Sequence, residues 1–549
     1  MKQLRRILAT LLALVLCLSG TALAAELTEA ELLAEKVAGI VLPTPELPLV
    51  DEPMTISVKF SKTSNHGDLN NCFYVQAVEK LTNIKMDIQS IDSNGWDEKL
   101  ALDFVSGDYS EIYLSGISFN DAAVYGQAGM LLPMEDLIAE YAPNVQAILE
   151  LLPETRRNVT APDGHIYMMA AYDGTPRDML MNSTYNQEVN GSWLEACGIE
   201  EMPTTLDEFY DMLVAFRDTD PNGNGEADEI PYSFVYSGDG YNMPLGAFGF
   251  VNLRHDVIDG EYVYVPAQEN FRHYLEFMNK LYTEGLLDEN IFTQTTEEYN
   301  AKMSTGVIGV MPNSGAALIG LDEYLKTVSL KPLVSDYNDT PVHPGRAQEV
   351  DKYGMVITDK CSEEKAIAAI KLLDYFYSQE GTFLIKCGPE YGAWGDMIDG
   401  GYVAHEAEDG SVSYELIYDH EEYQDSYFQF RIRNGLMNMP FFYTAAHAAV
   451  IIGGDASNNH LTEIVKESGM LSARRVGYPQ MATFTEDEQD ILAPYVLMDS
   501  YVDQMVAKFI TGEVEITDES WNNYLAQLDM MDLATLIEIR QAAFDRWNA

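Results

Sequence analysis

The amino-acid sequence predicts an α/β fold, and two observations carry that prediction. Of the 549 residues, 47% are hydrophobic and 22% are charged, which is enough apolar mass for large cores and excludes a disordered chain. From Met54 onward, strand patterns and amphipathic helix patterns alternate, which is typical of a parallel sheet covered by helices. Ligands of such sheets bind at the carboxyl ends of the strands.

The first elements follow one another at short intervals. Strands are predicted at 54–60, 86–91 and 111–117, with helices at 72–84 and 96–108 between them. The loops after Phe60 and Ser115 are therefore candidate binding loops. Asn65 in the first loop and Ser115 before the second are candidate ligand-binding residues.

Three longer helices are predicted further along the chain. The segment 204–218 begins with a capping box of Thr205 and Glu208 and has one apolar face. A second helix, 363–378, starts after Ser362 and should end at Gly381. The C-terminal segment 521–548 reads as helical throughout.

The N-terminus has the pattern of a secretory signal peptide. Basic residues precede an apolar run to about Leu18, and Ala22-Leu23-Ala24 gives a small-residue cleavage site. Residues 1–24 are thus expected to be removed on export, with 25–52 forming an acidic, proline-rich linker. Cys17 leaves open a lipid-anchored alternative, although Leu16 sits where that processing signal needs a small residue. No later stretch reaches 18 apolar residues.

The charge and the cysteines of the sequence indicate which partners and which covalent links are to be expected. Asp and Glu number 87 against 33 Lys and Arg, giving a formal charge of −54, which disfavours nucleic acids and anionic lipids as partners. The cysteines beyond the leader are Cys72, Cys197, Cys361 and Cys387. They are widely spaced, so free thiols are expected, and a Cys361–Cys387 disulfide stays open as an alternative.

A calcium loop is the sharpest motif, and it directly follows the capped helix. The run 220–231 reads DPNGNGEADEIP, with oxygen-bearing side chains at positions one, three and five and Gly225 at position six. Because calcium takes six to eight oxygen ligands, alternating residues in a tight turn suit it. The expected ligands are the side chains of Asp220, Asn222, Asn224, Asp228 and Glu229 and the backbone carbonyl of Glu226. An EF-hand has Glu at position twelve, whereas Pro231 ends this loop; a plain Asx-rich turn is the alternative.

Other motifs are weaker. The runs Asp92–Gly95 and Asp336–Asp339 lack the full alternation and are interpreted as turns. No G-x-S-x-G, H-E-x-x-H, Walker or dinucleotide-binding pattern occurs.

An aromatic turn at 388–396 contains Tyr391 and Trp394 among several glycines. An exposed indole face suits stacking on a sugar ring, so both residues are candidate ligand contacts. The alternative is that Trp394 anchors the turn into its own core.

Several segments together resemble the extracellular solute-binding proteins of family 1, in particular the branch that binds alginate oligosaccharides. They are EKLALDFVSGDYSEIYLSG, PTTLDEFYDMLVAFRDTDPNGNGEADEIP, EEKAIAAIKLLDYFYSQEG, GPEYGAW and FITGEVEITDESWNNYLAQLD. The calcium run is the most specific, and its ligand assignments carry over residue by residue. The family's glycine-rich turn is only partly kept around Tyr391.

The resemblance implies a two-lobed periplasmic-binding-protein-like fold of type II, with a ligand cleft between hinge-linked lobes. The expected lobes are 53–171 plus 327–358 and 172–326 plus 359–549, with hinges near Tyr172, itself a candidate ligand contact, and Thr358. The implied function is that of a monomeric, non-enzymatic receptor that captures an oligosaccharide and delivers it to the transmembrane subunits of an ABC permease, with a structural calcium ion. A secreted polysaccharide-acting enzyme and a calcium-dependent surface docking protein are the alternatives.

Overall fold

A computed structural model describes most of the chain after residue 39. The described residues are 40, 42–63, 66–174, 187–237, 243–312, 315–345, 350–407, 412–423, 427–435, 439–444, 451–452, 456–470, 472–479 and 481–549. The expected signal peptide 1–24 with Cys17, and the candidate residue Asn65, lie outside these ranges.

The larger sheet has six strands and contains the predicted first elements. In order across the sheet they are Phe442–Thr444, Met169–Gly174, Val350–Ile357, Ile112–Tyr113, Met54–Lys62 and Ile84–Asp92. Met54–Lys62 runs parallel to both of its neighbours, as the sequence predicted. Val350–Ile357 runs antiparallel to both of its own neighbours, so the sheet is mixed rather than wholly parallel.

A second sheet has four strands, in the order Val328–Ser329, Gln187–Val189, Ile308–Pro312 and Ile230–Tyr232. Ile230–Tyr232 is parallel to Ile308–Pro312, and Gln187–Val189 is antiparallel to it. Smaller sheets pair His255–Ile258 with Glu261–Tyr264, His343–Gly345 with Arg474–Val476, and Gly400–Glu406 with Val412–Tyr418 and Ile451–Ile452.

Helices cover both sheets. The α-helices among the described residues are Phe73–Thr82, Trp96–Ser106, Phe119–Gln127, Glu135–Tyr141, Pro143–Leu151, Pro153–Val159, Gly191–Cys197, Leu206–Asp218, Met243–Gly246, Glu269–Thr283, Thr296–Ser304, Ala316–Ile319, Leu321–Tyr324, Glu363–Tyr377, Gln379–Cys387, Tyr427–Arg433, Ala456–Glu467, Glu486–Leu492, Val496–Thr511, Asp518–Met530 and Leu533–Asn548. No helix in the described part of the chain is long and apolar enough to cross a membrane.

Two large hydrophobic cores surround the two sheets, and they divide the chain at other points than the sequence suggested. Leu330 and Leu333 lie in the second core, although 327–358 was assigned to the first lobe. Leu372 and Phe376 lie in the first core, although 359–549 was assigned to the second lobe. The helix Glu363–Tyr377 is held there because its Asp374 carboxylate accepts the backbone N–H groups of Asn144 and Val145 at 2.7 and 3.1 Å.

Two predicted helix ends differ from the structure. The helix Glu363–Tyr377 stops at Ser378, whose hydroxyl then caps the next helix by accepting the N–H of Gly381 at 3.2 Å. Gly381 lies inside that next helix, where a Cβ would stand 2.0 Å from the carbonyl oxygen of Tyr375. The C-terminal helix is broken at Asp532, which has a φ of 65°.

Two further expectations concern the cysteines and the turn that begins at Asp92. Cys72, Cys197, Cys361 and Cys387 are all unpaired, which rules out the Cys361–Cys387 disulfide in this structure. Asp92 forms a turn by accepting the N–H of Asn94 at 3.0 Å, as interpreted from the sequence.

Candidate functional site

The predicted calcium loop starts from a firmly anchored helix. Thr205 and Glu208 form the predicted capping box at the start of Leu206–Asp218. The inner face of this helix is fully buried at Leu213 and Phe216, and Phe216 meets Trp193 edge-on with ring centroids 5.4 Å apart. The loop therefore leaves a rigid support in the second core.

Side-chain oxygens of the loop organise its own backbone. The Asp220 carboxylate accepts the N–H groups of Asn224 and Gly225 at 3.1 and 2.9 Å, and Asn224 Oδ1 accepts the N–H of Glu226 at 2.7 Å. Gly223 and Gly225 have φ values of 71° and 79°, which favour glycine. This is the tight, alternating turn that the sequence predicted.

The closing side of the loop brings the remaining predicted ligands together. Asp228 accepts the side-chain N–H groups of Asn222 and Asn224 at 2.9 and 3.1 Å. Glu229 Oε1 is buried and has no hydrogen-bond partner in the described part of the chain. A buried carboxylate oxygen without a donor is costly, and a cation beside it would remove that cost, so the donor set fits a hard divalent ion.

The acidic side chains of the loop are not arranged around a common metal position. Within the ranges that the structure describes, no group of three or more His, Cys, Asp or Glu side chains is arranged to hold a metal. The two Asn amides face Asp228 with their nitrogens, so a cation would require them to turn their oxygens inward. The Glu226 side chain is exposed, which agrees with a role for its carbonyl only.

The candidate ligand residues do not form one cluster on the described contacts. Ser115 lies two residues beyond Ile112–Tyr113 and is 2% exposed. Tyr172 lies within Met169–Gly174 and is stacked on Phe442, with ring centroids 4.6 Å apart. Both are thus buried beside strands of the larger sheet, and Tyr172 belongs to the first core.

The aromatic turn also packs on the first core. Trp394 is half-buried, meets Phe73 edge-on at 5.5 Å between centroids, and has the ammonium of Lys80 4.6 Å from its ring centroid. Tyr391 is 48% exposed, and its hydroxyl donates to Asp399 Oδ1 at 3.3 Å.

Two polar residues at strand ends were not singled out from the sequence. His66 follows the strand Met54–Lys62, and Gln187 begins the strand Gln187–Val189; each is buried and each has a side-chain nitrogen without a hydrogen-bond partner. His66 lies in the polar loop after Phe60, and its position in that candidate binding loop could have identified it. No sequence feature identified Gln187 as a candidate.

Two α/β cores joined by repeated chain crossings are the architecture of a two-lobed solute-binding protein, and the family comparison agrees. Residues 73–383, more than half of the 549, match the bacterial extracellular solute-binding protein family, and the chain belongs to it.

Proteins similar to this chain are known by the saccharides that they bind. The fructooligosaccharide ABC transporter substrate-binding protein FusA of Streptococcus pneumoniae serotype 4 is 36% identical over 252 residues, which are 44% of this chain and 46% of FusA. The chain therefore spans about half the length of this curated relative. The solved structure of S. pneumoniae FusA in complex with kestose covers 90% of this chain and 99% of its own, with a TM-score of 0.73 and 24% identity. The alginate-binding protein AlgQ2 without calcium ion matches 91% of this chain and 100% of its own at a TM-score of 0.67 and 20% identity.

Proposed function

We propose that this protein is the extracellular substrate-binding component of an ABC importer, and that it captures an oligosaccharide and delivers it to a membrane permease. The observation that carries the proposal is the match to the solute-binding family together with the 36% identity to FusA, a fructooligosaccharide-binding protein. Export by the predicted signal peptide and a monomeric state belong to the same proposal.

Capture needs no covalent chemistry. In the proposed mode the ligand is held between the two lobes and contacts both of them. A ligand that binds the closed form more tightly shifts the population toward closure by that difference in affinity. Hydrogen bonds and apolar contacts from both sides supply the difference.

The test is a direct binding measurement on the mature protein. Isothermal titration calorimetry with kestose, alginate oligosaccharides and oligogalacturonides should show saturable binding to at least one of them. Chromatography of the same mixtures after long incubation checks the enzyme alternative. Intact saccharide supports a receptor, whereas shortened products would contradict it.

We also propose that the loop 220–229 binds one structural calcium ion. Its supports are the buried, unpartnered Glu229 Oε1 and the side-chain oxygens of Asp220, Asn222, Asn224 and Asp228, with the carbonyl of Glu226. One further solved relative is an EF-hand mutant of FusA in complex with fructo-nystose. The ion would fix the loop between a helix and the strand Ile230–Tyr232.

A further inference from the structure

His66 presents a buried donor at the ligand edge of the larger sheet. It lies four residues after Met54–Lys62, a strand that runs parallel to both neighbours, so it stands at their carboxyl ends. The backbone N–H of Thr63 donates to His66 Nδ1 at 3.1 Å. Because Nδ1 is an acceptor, the neutral ring must carry its proton on Nε2.

That Nε2–H group has no acceptor among the residues that the structure describes. His66 is 6% exposed, and its Nε2 is buried without a hydrogen-bond partner. Burial lowers the pKa of His66, and the positive charge of Lys62 lowers it further, against the effect of the Thr63 hydrogen bond. The ring is therefore a neutral donor rather than a cation.

Gln187 presents a comparable donor at the edge of the second sheet. It is 1% exposed and pairs with Pro312, the last residue of Ile308–Pro312, and so lies at the carboxyl end of that strand. The Tyr232 hydroxyl donates to Gln187 Oε1 at 3.0 Å, which fixes the amide. Its Nε2 is buried without a partner.

Neighbouring polar groups at the same edge are satisfied by one another. The Asp288 carboxylate accepts from Ser233 Oγ and Lys302 Nζ, both at 2.6 Å. Gln294 Nε2 donates to the carbonyl of Phe234 at 2.8 Å. Buried polar groups are thus paired with one another beside Gln187, whereas the nitrogens of His66 and Gln187 have no partner among the described residues.

We propose that His66 Nε2 and Gln187 Nε2 donate hydrogen bonds to hydroxyl or ring oxygens of the bound saccharide, one donor from each lobe. The inference rests on the proposed function and names two polar contacts of the proposed saccharide ligand. Neutral donors suit neutral sugar oxygens, which need no counter-charge. Since the two donors belong to different cores, a ligand that satisfies both holds the lobes together.

The test uses variants that remove each donor while keeping its shape. His66→Phe retains a ring against Phe60, whose centroid is 5.6 Å from that of His66. Gln187→Met retains the chain length. Each variant should weaken the affinity for a saccharide that the wild type binds by about tenfold, measured by calorimetry. His66→Gln, which keeps an N–H donor, should recover part of the loss.

Matched controls separate binding from folding. Gln187→Met also breaks the bond to Tyr232. Tyr232→Phe breaks the same bond and frees the amide but keeps its nitrogen, so it should weaken the affinity less than Gln187→Met. Gln294→Met removes a buried Gln whose bonds are internal, and should lower the melting temperature without changing the affinity. His66→Phe also loses the hydrogen bond from the Thr63 N–H to Nδ1, so its melting temperature should fall slightly. Thr63→Pro, which removes the same N–H but leaves Nε2, should keep the wild-type affinity.

The outcomes distinguish the inference from the proposed function. Wild-type affinity in both His66→Phe and Gln187→Met would overturn the donor assignment while leaving the receptor intact, and would mean that ordered water or nothing meets these nitrogens. A wild type that binds no saccharide would overturn the receptor proposal and the donor assignment with it.

Discussion

Glu111 shows how a single side chain ties a distant helix to the larger sheet. Its carboxylate accepts the N–H of Ser57 at 2.8 Å and the ammonium of Lys365 at 2.7 Å. Burial would raise the pKa of Glu111, but the hydrogen bonds from Lys365 and Ser57 outweigh it and lower the pKa below its usual value. Lys365 lies on Glu363–Tyr377, the helix that the structure moves from the second lobe to the first.

We expect Glu111→Gln to reduce the free energy of unfolding by about 1–2 kcal/mol at pH 7, because a charge-assisted hydrogen bond is lost. Because the pKa of Glu111 is lower in the folded state, its ionised form stabilises the fold at any pH above the unfolded pKa of about 4.3. This stabilisation is lost as the pH falls through the folded pKa. Urea unfolding of both proteins should therefore give a smaller difference at pH 3 than at pH 7.

The exposed Glu364 on the same helix provides the control. Glu364→Gln should cost only a few tenths of a kcal/mol, since it removes only the favourable placement of an acid near a helix N-terminus. An equal loss in both variants, or a loss from Glu111→Gln that does not depend on pH, would contradict the assigned role of Glu111.

Trp394 offers a second test at the level of one side chain. Since its ring packs on Phe73 and under Lys80, Trp394→Ala should lower the free energy of unfolding by about 1–3 kcal/mol through lost aromatic and cation–π contacts. Tyr391→Ala, in the same turn but 48% exposed, should hardly change it. Melting temperature and saccharide affinity measured on both variants decide whether Trp394 packs on the core or contacts the ligand. Unchanged stability with reduced affinity in Trp394→Ala would place its ring at the ligand.

Among the elements, local sequence signals predicted beginnings better than ends. Thr205 and Ser362 cap their helices as predicted, because a capping side chain bonds to its own neighbours. The helix Glu363–Tyr377 ends where it was predicted to within one residue, but Gly381 does not terminate it. Gly381 lies in the next helix, where its missing Cβ allows close contact with the Tyr375 carbonyl, which is a tertiary requirement. The break at Asp532 has no glycine to mark it.

The calcium loop is the element with the clearest experimental consequence. Chelation of the purified mature protein with EDTA should lower the melting temperature, since a ligand bound only by the folded state contributes about 2.7 kcal/mol at a hundred times its dissociation constant. Asp228→Ala should abolish this response because Asp228 is central to the loop's contacts.

A nearby acid that is not a predicted ligand serves for comparison. Asp211 is exposed on the helix Leu206–Asp218, so Asp211→Ala should keep the full response to chelation. Metal analysis should find one calcium per chain in the wild type after dialysis against calcium. Protein without calcium under that condition would leave the loop as an Asx-rich turn.

At the scale of the whole molecule, C-terminal elements connect the two lobes. The helix Leu533–Asn548 is buried in the second core at Leu536, whereas its Trp547 donates to Asn158 Oδ1 at 3.2 Å in the first lobe. Gln489 likewise donates to Asn120 Oδ1 at 3.0 Å. Both contacts join C-terminal residues to helices of the first lobe, and the Trp547 ring also packs against the first core.

We expect saturating saccharide to reduce the radius of gyration in small-angle X-ray scattering, because the lobes are joined by a few crossing segments and a ligand between them favours closure. Trp547→Ala should change the radius of the ligand-free protein, since it removes one of these interlobe contacts. An unchanged wild-type radius at saturation would argue for lobes that do not move.

The sequence predicted the α/β class, the first three strands and the calcium-loop helix, because each rests on local periodicity or capping. It could not locate the lobe boundaries, since Leu330 and Leu372 look equally apolar in either core and only tertiary packing separates them. The unpaired nitrogens of His66 and Gln187 were also hidden, because whether a donor finds a partner depends on residues far away in the chain.

The division of the chain between the cores has a consequence for how the protein folds. The first core joins Ile56 and Val58 to Phe442, while the residues between Val189 and Leu333 contribute to the second. Sheet pairs such as Tyr172 with Phe442 close very long loops, and folding slows as contacts become less local. During synthesis the larger sheet stays incomplete until residue 442 has emerged, whereas the four strands of the second sheet are all present once Ser329 has been made. The second sheet should therefore form first, and its core closes only later, when Leu528 and Leu536 have been added.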